Sequence, residues 1–293
     1  MMNNENLSIG FIGAGRVGFT LGRYFYEKNL ELSGYFSNTY EHACQAAEFT
    51  QSKAYKSIKE LVKASQVIFI TVPDRCIYDV YLKLKKCEIK NKILCHCSGA
   101  FSAEVFDDIE QFGAYGYSVH PIFAVSDKIN SYKEISKAFF TIEGDERKMP
   151  VIIEIFDRIG NPFQIISAEN KHMYHASLVM SSNLVIGLFR IALGLLEECG
   201  YSHLMAENAL KPLFLNNAEN LYQKGAIDAL TGPIDRNDVD TIKKHLSALI
   251  NNENALEIYQ SLSRELINIA KDKYPDRNYE QLEIVFDKEH KKI

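Results

Sequence analysis

A glycine-rich segment near the start of the chain constrains the fold more than any other feature. The apolar run Leu7–Ile12 leads directly into the sequence GAGRVG, and an amphipathic stretch follows it. Glycines at this spacing allow a tight turn, a close approach of the backbone to a diphosphate, and close packing of the next helix on the sheet. The positive end of that helix stabilises the diphosphate charge. We therefore predict a strand, a turn and a helix that bind a dinucleotide through Gly13, Ala14, Gly15, Arg16, Val17 and Gly18.

The remainder of the first half alternates short apolar runs with amphipathic stretches. This alternation is typical of a doubly wound parallel sheet of the Rossmann type, with helices on both faces. Strand signals stop at Ser167, and helical periodicity continues from there. We predict an α/β fold in two parts: a dinucleotide-binding Rossmann domain over residues 1–150 and an all-α domain over residues 151–293.

Composition argues against several other classes of protein. The formal net charge is -5, and no basic run precedes the last few residues, so nucleic acid is not an expected partner. The six cysteines are scattered, and the chain is large enough to fold without disulfides, which predicts a reduced, cytoplasmic setting. Residues 1–6 are polar and lack the pattern of a secretion signal.

One apolar segment raises the question of a membrane span. Leu178–Leu196 is mostly apolar and nearly long enough to cross a bilayer. It contains four residues that are costly in lipid, namely Ser181, Ser182, Asn183 and Arg190. We therefore expect no membrane association and predict a helix buried at the centre of a soluble domain.

The choice of cofactor is predicted from the end of the second strand. Enzymes that use NAD place an acidic residue there, which bonds the ribose hydroxyls. This chain has no acid before Glu41, and its Ser37 and Asn38 can donate hydrogen bonds to the 2′-phosphate of NADP. Arg16 can pair with that phosphate or lie over the adenine, or it is simply a solvated residue at the helix start. We predict NADP in preference to NAD.

The ligand of such a sheet lies beyond the carboxyl ends of its strands. The fourth strand is followed by Val72, Pro73 and Asp74, which we place beside the cofactor. A plain helix cap is the alternative for Asp74. The fifth strand is followed by Ser98 and Gly99, whose small size leaves room for the nicotinamide ring.

Four polar residues further along the chain are candidates for chemistry. His120 ends the sixth predicted strand, Tyr115–His120, and is a candidate proton donor, because imidazole titrates near neutral pH. A structural histidine with satisfied hydrogen bonds is the alternative. Lys171 and His175 share one face of the long helix, and Asn183 lies two turns beyond His175. Such a set can polarise a carbonyl or imine during hydride transfer, whereas the alternative is a polar helix start before a buried stretch.

Metal binding is not expected. Cys95 and Cys97 alternate on a predicted strand, which is typical of core residues. A spacing compatible with metal ligation also occurs in the long helix, at Glu169, His172 and His175, but these residues drift around the helix and no second ligand pair is evident. Near residue 235, we predict that Asp235 caps the following helix, and the alternative for this stretch is that Arg236 and Asp238 reach a cleft.

Taken together, these segments resemble the Rossmann-like proteins that carry a C-terminal domain of unknown function 2520. That group is related to the superfamily of 6-phosphogluconate dehydrogenase, pyrroline-5-carboxylate reductase and prephenate dehydrogenase. The segments that carry the resemblance are Gly13–Gly18, Val72–Asp74, His96–Ala100, His120-Pro121, Tyr174–Ala176, Ser182-Asn183, and Gly232-Pro233 with Arg236 and Asp238.

The resemblance implies an NADP-type Rossmann domain and an all-helical second domain. It also implies a homodimer in which the helical domains pack together and complete each other's clefts. His120-Pro121 is similar to the substrate-contacting motif of prephenate dehydrogenases, although Ile122–Ala124 lacks their usual glycine. Lys171 is similar to the catalytic lysine of the β-hydroxyacid dehydrogenases, with His175 where those enzymes have Asn.

Our leading hypothesis is an NADP-dependent oxidoreductase that acts on a small polar carbonyl, imine or hydroxy acid at the cleft between the domains. Lys171 and His120 would bind or protonate the substrate, and His175 and Asn183 would position it. The alternatives are a prephenate-dehydrogenase-like enzyme, a protein that senses NADP(H) without turnover, and a Rossmann relic that binds nothing.

Overall fold

A computed structural model describes residues 7–288 of the chain, with side chains to residue 286. Its first half contains eight strands, which are β1 (Ile9–Ile12), β2 (Leu32–Phe36), β3 (Lys53–Ala54), β4 (Val67–Ile70), β5 (Ile93–His96), β6 (Tyr115–Ile122), β7 (Phe139–Gly144) and β8 (Phe163–Ile165). They form one sheet in the order β3-β2-β1-β4-β5-β6-β7-β8. Neighbouring strands are parallel except for β6 and β7, which are antiparallel. The predicted doubly wound α/β architecture is thereby confirmed.

Six helices accompany this sheet, namely α1 (Arg16–Glu27), α2 (Tyr40–Phe49), α3 (Ile58–Ala64), α4 (Ile77–Leu84), α5 (Met149–Ile159) and α6 (Lys171–Ser181). Because successive side chains of a strand point to opposite faces, a strand that is covered on both sides is apolar throughout. In β4, Val67 and Phe69 belong to one apolar cluster, whereas Ile68 and Ile70 belong to another. The continuous apolar run therefore reflects a sheet buried between two helical layers.

The rest of the described chain is helical, as predicted. It contains α7 (Asn183–Glu198), α8 (His203–Ala229), α9 (Val239–Leu249), α10 (Glu253–Lys273) and α11 (Glu280–Lys288). Side chains of α9, α10 and α11 form a compact core that includes Ile242, Leu246, Ile267, Leu282 and Phe286. Within α8 the helix is broken at Gly225, where φ is 75°.

The contacts divide the chain later than the predicted boundary at residue 150. One compact unit runs to Ser182 and the other starts at Asn183. The reason is that β8 pairs with β7, and α5 buries Ile152, Ile155 and Phe156 in the core of the sheet. Residues 151–182 therefore complete the α/β unit.

The long apolar helix differs from its prediction in two ways. It is interrupted at Ser182, whose φ and ψ are -129° and -81°, so that α6 and α7 are separate helices. The segment Ala168–Glu198 is long and apolar enough to cross a membrane, yet only 6% of its most apolar window is buried. The prediction of burial within the chain is therefore wrong, because no layer formed by residues 7–288 covers most of these apolar side chains.

Candidate functional site

The three glycines of the first turn differ in whether the fold has room for a side chain at their positions. Gly13 has a φ of +107°, and a Cβ there would lie 2.8 Å from the Thr71 carbonyl oxygen. A Cβ on Gly18 would lie 2.5 Å from the Gly13 carbonyl oxygen. A Cβ on Gly15, in contrast, would approach only the Thr71 carbonyl, at 3.9 Å. Gly13 and Gly18 are therefore required by the fold, whereas Gly15 leaves open space at the start of α1.

A cavity of about 530 Å³ lies against this turn. Eight of the predicted cofactor residues line it: Gly13, Ala14, Gly15, Arg16, Ser37, Asn38, Val72 and Pro73. Val17 and Gly18 do not line it, because Gly18 is buried against the turn and Val17 packs on the apolar core of the sheet. Asp74, Ser98 and Gly99 lie outside its lining as well.

Three basic side chains in the cavity lining were missed by the sequence analysis. His42 lies in the first turn of α2, Lys83 near the end of α4, and Lys128 in the connection between β6 and β7. The Lys128 Nζ lies 4.0 Å from the centre of the Phe19 ring. The position of His42, five residues after Ser37, was a usable signal, whereas nothing in the local sequence indicates that Lys128 folds back to the cavity.

Asp74 joins the cavity edge to the turn that follows β5. The Ser98 hydroxyl donates to the Asp74 Oδ2 over 2.7 Å and accepts the backbone N–H groups of Ala100 and Phe101, each over 3.1 Å. Neither proposed role of Asp74 is seen directly, since its carboxylate neither lines the cavity nor caps α4. It instead anchors Ser98, one residue after the cavity-lining Pro73.

His96 holds the same turn from beneath. Its Nδ1 accepts the Ser98 backbone N–H over 3.2 Å, and its Nε2 lies 3.0 Å from the Ser102 carbonyl oxygen. A carbonyl only accepts, so the proton of this imidazole is on Nε2. Burial lowers the pKa of His96 to about 4, and the ring is therefore neutral at pH 7. The turn after β5 is thus built from satisfied hydrogen bonds.

His120 lies inside β6, which extends two residues beyond the predicted end of this strand at His120. The parallel ladder with β5 stops at Ser118, but β6 continues to Ile122 because β7 pairs with it, with Thr141 opposite His120. The His120 Nδ1 lies 2.6 Å from the Tyr174 hydroxyl, and the two rings meet edge to face. Burial, with a smaller contribution from Lys171, lowers the pKa of His120 to about 3. The imidazole is therefore neutral over the physiological range.

Three of the predicted residues meet at one point. A Cβ on Gly99 would lie 2.8 Å from Cε1 and 2.9 Å from Nε2 of His120, and 3.0 Å from Cδ2 of His175. A side chain at position 99 would therefore collide with both imidazoles. The glycine therefore allows both imidazoles to pack against the turn after β5.

Lys171 is buried against the same turn, with 1% of its surface exposed. Its Nζ donates to the Ser98 carbonyl oxygen over 3.4 Å and lies 5.0 Å from the centre of the Tyr174 ring. Burial lowers the pKa of Lys171 to about 8, against the opposing effect of the nearby Glu143 carboxylate. Burial likewise raises the pKa of Glu143, which accepts the Ala103 N–H over 2.7 Å. Lys171 thus contacts the turn that carries Gly99.

The remaining predicted residues lie in the helical unit. Asn183 is the first residue of α7, after the break that separates it from Lys171 and His175. The cap of α9 is Asp238, which accepts the Thr241 N–H over 3.0 Å, and not Asp235 as predicted. Asp235 instead pairs with Lys273 over 3.1 Å. Among residues 7–288 there is no group of three or more His, Cys, Asp or Glu side chains that could hold a metal ion.

Comparisons with known proteins agree with this architecture. The model of the Rossmann-like domain matches residues 1–121, and that of the domain of unknown function 2520 matches residues 138–266. No curated protein matches the chain.

Three solved structures illustrate the similarity. Protein TM1727 from Thermotoga maritima is 26% identical, with a TM-score of 0.75 over 90% of this chain and 99% of that one. Protein BF3122 from Bacteroides fragilis, named as a candidate NADP oxidoreductase, is 19% identical, with a TM-score of 0.64 over 90% and 99%. An imine reductase from Pseudomonas sp. is 15% identical, with a TM-score of 0.60 over 91% and 98%.

The two matched domains together span most of the chain, and their order is that of the observed fold. The chain therefore belongs to the Rossmann-like proteins that carry a domain of unknown function 2520.

Proposed function

We propose that this protein is an NADP-dependent oxidoreductase that transfers a hydride to or from a small polar carbonyl, imine or hydroxy acid. The observation that carries the proposal is the meeting of His120 and His175 over Gly99, one hydrogen bond away from the edge of the cofactor cavity. Two of the structural relatives bear names that fit this class, an NADP oxidoreductase and an imine reductase.

The cavity fits a dinucleotide because the glycine turn exposes backbone, and not side chains, on the side of the cavity next to α1. The open space at Gly15 would receive the diphosphate against the first turn of α1. Arg16, Ser37 and Asn38 would hold a 2′-phosphate, and His42 and Lys128 add basic groups to the same lining. The bound nicotinamide would supply or accept the hydride. NAD is the less favoured cofactor, since no acidic residue follows β2.

The side chains around Gly99 suit a substrate with a polar double bond. A neutral imidazole at His120 would form a hydrogen bond with the substrate oxygen or nitrogen, and His175 would position the substrate from α6. The buried Lys171 would contribute in two ways. It would hold the turn after β5 by donating to the Ser98 carbonyl, and its positive charge would stabilise negative charge that develops on the substrate. We assign Asn183 a role in positioning the substrate, on the strength of the family resemblance alone.

The first experiment is calorimetry with NADP and NAD, followed by NADPH oxidation with a panel of keto acids and cyclic imines. We expect NADP to bind more tightly and at least one substrate to turn over, with a large loss of kcat in His120→Gln. Tight NADP binding without turnover of any substrate would favour the sensing protein. Absence of binding to both dinucleotides would contradict the proposal altogether.

We further propose that the protein is a cytoplasmic homodimer formed through its helical part. Several large apolar side chains of α7 and α8 are more than half exposed in the single chain, among them Leu184, Ile186, Leu213, Leu215 and Leu221. A soluble monomer rarely exposes so many, so a second copy would cover them. All six cysteines are free, in keeping with a reduced compartment.

Light scattering after size exclusion tests the dimer directly. We expect twice the 33.4 kDa mass of one chain over a wide range of protein concentration, and a shift towards the monomer in a Leu213→Glu, Leu215→Glu variant. A monomer that floats with lipid vesicles would instead indicate that the apolar helices meet a membrane.

A further inference from the structure

We propose that Tyr174 and Thr141 are positioning residues that hold the His120 imidazole as its Nε2–H tautomer, with this N–H on the side of the ring that faces Gly99. The proposal deepens the role assigned to His120 above and rests on that proposed function for its significance. Its test requires neither substrate nor cofactor.

The three side chains form a chain of hydrogen bonds that begins within the sheet. Thr141 lies directly opposite His120 in the antiparallel pairing of β6 with β7, and only 2% of its surface is exposed. Its side chain bonds to the Tyr174 hydroxyl, which in turn lies 2.6 Å from the His120 Nδ1. Tyr174 belongs to the first turn of α6, so two separate elements secure the imidazole.

The direction of these bonds follows from the number of protons. Burial raises the pKa of Tyr174, so its hydroxyl keeps its single proton. The hydrogen bond from Thr141 opposes this effect on the pKa, as expected of a group that donates to the phenol oxygen. If Thr141 donates to Tyr174, the Tyr174 proton is available for His120 Nδ1. The single proton of the neutral imidazole must then be on Nε2.

The other ring nitrogen faces the proposed substrate position. The Nε2 of His120 lies 2.9 Å from the point that a Cβ on Gly99 would occupy, so this side of the ring packs directly against the turn after β5. A donor fixed at this point favours a ligand with a carbonyl oxygen or imine nitrogen, since both accept hydrogen bonds. In the opposite tautomer Nε2 would be an acceptor, and it would favour a hydroxyl or ammonium group.

The charged and titratable groups around His120 favour its neutral form. The Lys171 ammonium group from α6 lies nearby and would repel a protonated imidazole, and the rings of His96 from β5 and His175 from α6 also lie close to His120. The tautomer is therefore the property of His120 that the surrounding side chains control at neutral pH.

A second histidine–tyrosine pair provides a matched control. The His245 Nδ1 lies 2.8 Å from the Tyr259 hydroxyl, the rings meet edge to face, and Tyr259 also bonds to a hydroxyl side chain, that of Ser263. This pair joins α9 to α10, and its imidazole is exposed to solvent. Water can therefore replace the Tyr259 hydroxyl, whereas the buried His120 has no such substitute.

The experiment is a long-range ¹H–¹⁵N correlation on the full chain with ¹⁵N-labelled histidine, assigned with His120→Gln and His245→Gln. We expect His120 to show a single Nε2–H tautomer that is unchanged between pH 6 and 8. In Tyr174→Phe we expect loss of the single tautomer, with both nitrogen signals moving towards the average of the two forms. Thr141→Val should give a smaller shift in the same direction, and Tyr259→Phe should leave the His120 signals unchanged.

An Nδ1–H tautomer in the unmodified protein would overturn the proposal, whatever the variants do. Its persistence as Nε2–H in a folded Tyr174→Phe protein would overturn the positioning role of Tyr174. If Tyr174→Phe does not fold, an unchanged His120 signal in Thr141→Val decides against the hydrogen-bond chain. Failure to bind NADP would contradict the proposed function and leave the tautomer result standing.

Discussion

The cofactor cavity and the cluster around His120 lie at the same edge of one sheet but are built by different means. The cavity depends on the absence of side chains at Gly13 and Gly15, which leaves backbone exposed along one short stretch of chain. The cluster is made by side chains from β5, β6 and α6 that hydrogen-bond to one another or to backbone carbonyl groups of the turn after β5. Substitutions that enlarge a side chain should therefore disturb the cavity most. Substitutions that change a charge or move a proton should disturb the cluster most.

The largest effect on stability is expected at Gly13, which lines the cavity and is also required for the turn after β1. Gly13→Val places a Cβ 2.8 Å from the Thr71 carbonyl oxygen on a backbone with a φ of +107°. Backbone strain and overpacking together should lower the free energy of unfolding by about 3–5 kcal/mol. Urea unfolding measures this loss. Gly187→Ala is the control, because nothing lies within 4 Å of a Cβ there. Equal stability of the two variants would refute the size argument.

The next effect concerns charge within the cluster. The pKa of Lys171 is about 8 in the folded protein and 10.5 by reference, so the unfolded chain binds more protons between these values. Stability should therefore rise as the pH increases from about 8 to about 10.5, by roughly 3 kcal/mol in all. Lys171→Met should lack this rise, and its stability at pH 7 should be no lower than that of the wild type.

Unfolding by urea at several pH values, with the difference between the two proteins taken at each pH, isolates the contribution of Lys171. Lys137→Met is the control, since Lys137 is an exposed lysine that pairs with Glu134 on the surface. Parallel curves for Lys171→Met and the wild type would show that the ammonium group is not disfavoured by burial.

A third substitution separates ligand binding from folding in the cavity. Gly15→Ala adds a Cβ whose nearest neighbour is 3.9 Å away, so stability should change little. The same Cβ would occupy the space of the diphosphate, and affinity for NADP and NAD should fall by about 100-fold, or about 2.7 kcal/mol. Calorimetry with both dinucleotides measures the loss. An unchanged affinity in the folded variant would remove the basis for placing the diphosphate at this turn.

The smallest effect is expected at the polar rim of the cavity. Asn38→Asp adds a negative charge where we place the 2′-phosphate, so NADP affinity should fall about 10-fold while NAD affinity stays the same or rises. Asn91→Asp adds the same charge in the turn before β5, at the opposite edge of the sheet, and should change neither affinity. A uniform loss for both cofactors would place the 2′-phosphate elsewhere.

The cavity was the more predictable of the two regions. Its glycines lie within six residues of one another, and each follows from the local geometry of a strand, a turn and a helix. The continuous apolar runs of β1 and β4 likewise predicted a sheet covered on both faces. Lys128 was missed because its approach to the cavity depends on the path of the whole connection between β6 and β7.

The cluster was predicted in its residue types but not in its arrangement. The helical periodicity that grouped Lys171, His175 and Asn183 does not extend across the interruption at Ser182. The burial of Lys171 and the role of Tyr174 depend on which face of α6 packs on the turn after β5, and helical spacing alone cannot specify this. The exposure of α7 was unforeseen for a related reason, since apolar residues in a sequence do not reveal whether their cover comes from the same chain.

The extension of β6 beyond β5 has a consequence for ligand recognition. His120 is carried on backbone that remains paired with β7 up to Ile122, and its ring is hydrogen-bonded to Tyr174, so the imidazole is held in place before any ligand arrives. The entropy lost in ordering it is lost during folding. When a ligand binds to this ring, the entropy lost is mainly that of the ligand itself. Such preorganisation favours tight binding and discrimination among small molecules of similar shape.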